Sequence, residues 1–235
     1  EMRLGTKART AAGHMRVPFP LDEYAERDEK PDEEIFPILN GERYLAWKNP
    51  AMSYHWQPRY SHPGTAEEAV RNILAYLRAH PQVTSVSLGV NDSGGHCETE
   101  RGREVETYYR WVNAVAERVT AEFPEVVLTV LSYREVEPAP RFPLHPNVLA
   151  ILCFDSHACL DPEVRAKREA LVRDWARVAR IGQYGYDTGD HVYKLPRIYF
   201  GIQREMIRFL HAQGAEHVYS EWAYNTASEG PKTYL

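Results

Sequence analysis

The 235 residues carry a formal net charge of -5, with 28 Lys and Arg against 33 Asp and Glu, and no basic footprint. That balance argues against a nucleic-acid or anionic-membrane surface, and 43% hydrophobic with 26% charged residues argues against a disordered chain. No apolar run approaches the ~20 residues of a membrane span, and three cysteines (Cys97, Cys153, Cys159) are too few for a disulfide scaffold.

The chain starts at Glu1 rather than a methionine, which reads as a start inside a longer protein, and its opening segment can end in a strand near His14. Val17 to Gly64 is a long insertion. Within it, Ile35 to Trp47 around Asn40-Gly41 reads as a β-hairpin, because Asn and Gly accept the positive φ that both central positions of a type I′ turn need. The aromatic residues Phe36, Tyr44, Trp47, Tyr54, Trp56 and Tyr60 favour an ordered insertion. An aromatic-rich loop needs something to pack against, and the hairpin is expected over the strand-end face.

Thr65 to His80 follows as a helix with Ala66, Ala69, Val70, Ile73, Leu74 and Leu77 on one face, Thr65 and Glu68 forming a capping box and Pro81 ending it. Val83 to Val90 reads as a strand, Glu104 to Glu122 as a helix and Val126 to Tyr133 as a strand buried on both faces. Arg134 to Asn147, with four prolines, is expected to be an extended loop or a single turn. Val148 to Phe154 is the next strand, and Asp161-Pro162 supplies the cap and first position of a helix to about Arg180. Ile181 to Tyr186, a helix from Pro196 to Gln213 closed by Gly214, and a last strand from Glu216 to Trp222 complete the chain. Strand and helix in alternation mean a parallel sheet joined by right-handed crossovers.

Ligands of such sheets bind at the C-terminal ends of the strands. Those ends read Asn91-Asp92, Tyr133 to Glu135, Asp155 to His157, Tyr184 to Asp187, and Glu221-Trp222. Acids and aromatics converging on one mouth fit cleavage of a glycosidic bond, which needs one protonated carboxyl and one carboxylate. Asp92 and Glu221 are the expected catalytic pair, with Asp155 and Asp187 in reserve. Asp92 precedes Ser93-Gly94-Gly95, where small residues admit a substrate, and Trp222 gives Glu221 an apolar wall. Asn91, Tyr133, Asp155, His157, Tyr184, Tyr186, Asp187 and Trp222 are the expected substrate contacts.

Zinc is the competing chemistry, through His96-Cys97 and His157-Ala158-Cys159, but neither has paired CxxC spacing, and no metal or other cofactor is assigned. Dinucleotide, P-loop and serine-hydrolase motifs do not occur.

The stretch from Ser85 to Glu98, Ser-Val-Ser-Leu-Gly-Val-Asn-Asp-Ser-Gly-Gly-His-Cys-Glu, resembles the signature of a bacterial family, domain of unknown function 4838. Arg3-Leu4-Gly5, Gly13-His14, Trp56-Gln57-Pro58, Leu131-Ser132-Tyr133, Tyr184-Gly185-Tyr186 and Ser220-Glu221 extend the likeness along nearly the whole chain. Members are barrel proteins grouped with glycoside hydrolases and loosely similar to α-glucuronidases and hexosaminidases. The resemblance implies a (β/α)8 TIM barrel incomplete at its N-terminus here, with its first strands and an N-terminal domain upstream, so that residues 1–235 form its C-terminal part with an insertion at about 17–64. It adds His14 and Trp56 to the mouth and implies a carbohydrate substrate and a secreted or periplasmic location. The family usually continues its motif with further cysteines, where this chain has Thr99 and Gly102, so no metal or disulfide cluster is carried across. A barrel that binds carbohydrate without turnover is the alternative reading.

Overall fold

The computed structural model describes residues 15–48, 55–92, 94–186 and 200–220. Five parallel strands form its centre: β3 (Ser85–Ser87), β4 (Val127–Ser132), β5 (Val148–Cys153), β6 (Arg180–Gly185) and β7 (His217–Ser220). They are hydrogen-bonded neighbours in chain order, which is what successive crossovers require. The sheet curls into half a barrel. All five C-terminal ends therefore open on one rim.

The strands alternate between two faces, and side-chain packing shows which is which. Val86, Leu128, Val130, Val148, Ala150, Leu152 and Ile181 belong to the main core with the helices. Leu131, Leu149, Ile151 and Cys153 form a second, smaller cluster on the other face, joined by Val127, Tyr133, Tyr184 and Tyr186. The period of two explains the near-continuous apolar runs: a strand covered by helices on one side and curled on the other has no wet face.

The helices are α2 (Pro63–Ala79), α3 (Glu104–Thr120), α4 (Pro162–Ala176) and α5 (Phe200–Ala212), preceded by the short α1 (Leu21–Glu26). Asp161 caps α4 as its sequence implies, accepting the backbone N–H of Glu163 at 2.8 Å. Gly214, at φ +85°, lets the chain reverse after α5, and Ala215 N–H returns to the Leu210 carbonyl at 3.0 Å. The expected capping box of α2 does not form. Pro63 takes the first helical position, where its missing N–H is no loss, and Thr65 donates instead to the Arg59 carbonyl at 2.6 Å. Glu68, 8% exposed, accepts from Tyr24 Oη at 2.8 Å and Asn72 Nδ2 at 2.9 Å and pairs with Arg71.

The hairpin is smaller than its sequence implies. β1 (Ile38–Leu39) and β2 (Glu42–Arg43) pair antiparallel around Asn40 (φ 53°) and Gly41 (φ 79°), while 3₁₀ turns occupy Glu33–Ile35 and Ala46–Lys48. The turn itself is as expected, with both central residues at positive φ. The proline-rich stretch after β4 holds one 3₁₀ turn, Arg134–Val136. Two buried tyrosines of α3 tie this helix to the rim: Tyr108 Oη donates to the Leu88 carbonyl at 2.9 Å and Tyr109 Oη to the Val136 carbonyl at 2.7 Å.

Candidate functional site

The loop after β3 is the most heavily braced part of the rim. Gln57, fully buried, grips the backbone of Asn91 with both ends of its amide: Oε1 accepts Asn91 N–H at 3.1 Å, and Nε2 donates to the Asn91 carbonyl at 2.9 Å. Tyr60 Oη donates to the same Oε1 at 3.2 Å, and Asn91 Nδ2 donates to the Trp56 carbonyl at 2.8 Å. A buried amide that spends donor and acceptor on one residue acts like a partner strand. Gly95 closes the seam. A Cβ there would lie 2.6 Å from the His55 carbonyl oxygen and 2.8 Å from Trp56 Cα, so only glycine lets residues 55–57 lie against this loop. The hairpin is pinned to the loop's far end, with the N–H groups of Asn40 and Gly41 donating to Glu98 at 2.8 and 3.2 Å and Ile38 N–H to Cys97 Sγ at 3.3 Å. The insertion thus packs on the loop that presents Asp92.

Asp92 itself is exposed, and Tyr133, from the end of β4, donates its hydroxyl to Asp92 Oδ1 at 3.0 Å. Burial, together with the hydrogen bond to and charge of Asp92, holds the Tyr133 phenol above its usual range, so it remains a donor at neutral pH. The Arg134 guanidinium lies over the Tyr133 ring, with Cζ 5.9 Å from its centroid. Arg134 sits at φ 52°, a left-handed backbone that costs a non-glycine residue roughly 1–2 kcal/mol. Such strain is concentrated at sites where geometry matters more than stability.

Glu135 follows, 38% exposed, with Oε2 3.7 Å from Arg134 Nε and 3.8 Å from His96 Nε2. The His96 side chain is 6% exposed, and its Nδ1 has no hydrogen-bond partner among the described residues. Burial lowers the His96 pKa against the opposing charges of Glu135 and Glu104, which favours a neutral ring.

Across the rim, Asp155 accepts the His157 N–H at 2.8 Å and so caps the 3₁₀ turn Ser156–Leu160. Both residues are half-buried. Tyr184 and Tyr186 lie 5.3 Å apart between ring centroids, and Tyr219 of β7 stacks on Tyr184 at 4.7 Å with 29° between planes. Tyr219 is 47% exposed. Three tyrosines therefore form an aromatic surface on the β6–β7 side of the rim.

Of the expected mouth residues, Asp92 and Tyr133 are in direct contact, and Tyr184 and Tyr186 share the concave face with Tyr133. Trp56 stands elsewhere: it is 1% exposed and packs between Phe19 and Phe36, with ring centroids 5.9 and 5.2 Å away. Asn91, 5% exposed, is committed to the brace. His14, Asp187, Glu221 and Trp222 lie outside the described residues. The two weighed His–Cys pairs go separate ways, Cys97 to Ile38 and Thr99, Cys159 to the Asp155 carbonyl, and among the described residues no group of three or more His, Cys, Asp or Glu could hold a metal ion. No helix among the described residues is long and apolar enough to cross a membrane.

The family model described as a domain of unknown function (DUF4838) matches residues 13–235. The chain belongs to this family. No curated protein and no solved structure matches it. In this DUF4838 chain sequence reasoning quoted Gln57, Arg134 and Glu135 only within longer stretches, Trp56-Gln57-Pro58 and the strand end Tyr133 to Glu135, without giving them a role, and did not name Tyr219. The last was open to discovery, because Tyr219 stands two positions before Glu221 and shares its face with Tyr184 by register. The partners of Gln57 and Arg134 are set by tertiary contacts that these stretches do not display.

Proposed function

We propose that this protein acts on the glycosidic bond of an oligo- or polysaccharide at the strand-end rim, with Asp92 as one of the two working carboxylates. The observation that carries the reading is the joint placement of a braced, exposed carboxylate and a tyrosine surface. Tyr133 holds Asp92 at 3.0 Å, and the Tyr184–Tyr219 stack lies on the same concave face. Flat aromatic faces suit the C–H faces of a pyranose, and a fixed carboxylate suits a charge developing at the anomeric carbon. Glu221, which follows β7 in the sequence, is one candidate for the second carboxyl. The resemblance of the Ser85 to Glu98 motif to a family grouped with glycoside hydrolases is in keeping with this reading, in which the curled sheet is part of an eight-stranded barrel.

The test is release of reducing ends from a broad glycan panel by the intact protein, with Asp92→Asn alongside. The reading expects turnover of at least one glycan by wild type, and its loss in Asp92→Asn with binding retained, since an amide keeps shape but cannot serve as base or nucleophile. Binding without turnover by wild type would favour a carbohydrate-binding barrel, for which the tyrosine surface suffices.

A further inference from the structure

The rim carries a second carboxylate whose surroundings the proposed reaction does not yet use. Glu135 leaves the end of β4, the strand next to β3, so it stands on the same side of the mouth as Asp92. Gly94, two residues after Asp92, gives it room: a Cβ at that position would lie 3.0 Å from Glu135 Oε1. Behind it His96 is buried, with Nε2 3.8 Å from Glu135 Oε2 and Nδ1 unpartnered among the described residues. Of the two ring nitrogens, Nε2 is the one that faces the carboxyl. Arg134 approaches from the open side, its Nε 3.7 Å from the same oxygen. By contrast, β7, the strand that Glu221 follows in the chain, lies at the opposite edge of the sheet, four strand intervals of about 4.8 Å from β3 measured along the curl.

We infer that Glu135 is a catalytic acid and base of this site, working beside Asp92, and that His96 is a positioning residue whose buried ring backs the Glu135 carboxyl at 3.8 Å. The inference rests on the glycosidic reading above. In the step it assigns, the Glu135 carboxyl gives its proton to the glycosidic oxygen as the bond from that oxygen to the anomeric carbon breaks, the bonding pair staying on the oxygen. The Asp92 carboxylate supplies electron density from the other side. Water then provides the hydroxyl for the anomeric carbon and its proton returns to the carboxylates, so one water is consumed and both groups regain their first protonation state. The Glu135 carboxylate left after proton transfer faces His96 Nε2 at 3.8 Å and Arg134 Nε at 3.7 Å.

The decisive experiment pairs Glu135→Gln with two substrates in the intact protein: the glycan that wild type cleaves, and a dinitrophenyl glycoside of the same sugar, whose leaving group needs no proton. The expected result is a kcat/KM loss of about 10²–10⁴-fold on the glycan with kcat/KM on the dinitrophenyl glycoside largely kept, because kcat/KM reports the bond-breaking step that needs the acid. Equal losses on both would assign Glu135 a structural role and overturn the inference, as would unchanged cleavage of the glycan. Glu221→Gln giving the leaving-group signature instead would overturn it in favour of β7. A wild type that cleaves no glycoside defeats the glycosidic reading itself, and the role of Glu135 with it, a different outcome from an active wild type indifferent to the substitution. NMR titration of His96 supplies a readout independent of turnover. The ring is faced by Glu135, Glu104 and Arg134, and Glu135→Gln is expected to lower its midpoint. An unchanged midpoint means the two groups do not interact and overturns the positioning role.

Discussion

Replacing Gln57 by alanine removes the amide that stands in for a strand beside Asn91. Three hydrogen bonds go at once: Asn91 N–H to Oε1 at 3.1 Å, Nε2 to the Asn91 carbonyl at 2.9 Å, and Tyr60 Oη to Oε1 at 3.2 Å. Gln57 is 0% exposed and Asn91 5%, so water cannot readily replace the lost partners. At roughly 1 kcal/mol net for each bond, and more for each buried group left unpaired, the loss comes to about 3–5 kcal/mol. Urea denaturation should show it as a fall in midpoint at unchanged slope, with faster amide exchange across residues 91–97. Gln57→Glu separates hydrogen bonding from volume. It keeps the shape and the acceptor, loses the donor to Asn91 and buries a charge, so it should also destabilise at neutral pH and recover as the pH falls and the carboxyl is protonated. A cost below about 1 kcal/mol for Gln57→Ala would refute the brace as the reason the Asp92 loop is ordered.

Gly95→Ala should cost about 1–3 kcal/mol or more by the same denaturation assay, because its Cβ would meet backbone atoms at 2.6 and 2.8 Å that cannot swing aside. Glu100, 1% exposed, has its pKa raised from 4.5 by burial. The folded state then binds the proton more tightly than the unfolded, so its contribution falls as pH rises from the unfolded carboxylate range through the raised folded value. Stability of wild type relative to Glu100→Gln should therefore decline as the pH rises above 4.5, and a flat difference would contradict the assignment. Tyr184→Ala combined with Tyr219→Ala should weaken oligosaccharide binding by about tenfold or more, about 1.4 kcal/mol, in calorimetry, while Trp56 substitutions act on stability instead.

Strand order and helix faces were legible because both rest on periodicity that a single sequence displays. The runs at Val126 and Val148 have the length and composition of strands wet on neither face, and crossovers leave little freedom in their order. Local chemistry was read correctly where one interaction decides, as at Asp161-Pro162 and Asn40-Gly41. It was read wrongly where two compete: Pro63 displaced the start of α2 by two residues, and the pairing of Thr65 with Glu68 lost to Arg59 and to the buried cluster of Tyr24 and Asn72. Loop aromatics carry no period, so whether Trp56 faces a ligand or the core could not be told from the sequence. Its burial between Phe19 and Phe36 depends on contacts made across tens of residues. The grip of Gln57 on Asn91, 34 positions apart, is a tertiary fact of the same kind. The convergence of Asp92 and Tyr133 was foreseeable from their shared place at neighbouring strand ends, although the hydrogen bond between them was not.

The most direct test of the central claim is a crystal structure of the intact protein with an oligosaccharide drawn from the panel. The account predicts a sugar ring lying on Tyr184 and Tyr219 at van der Waals distance, about 3.5–4 Å, with a glycosidic oxygen or hydroxyl within hydrogen-bonding reach of Asp92 or Glu135. Sugar bound instead on the helical outer face, or at the N-terminal ends of the strands, with the rim empty, would contradict it.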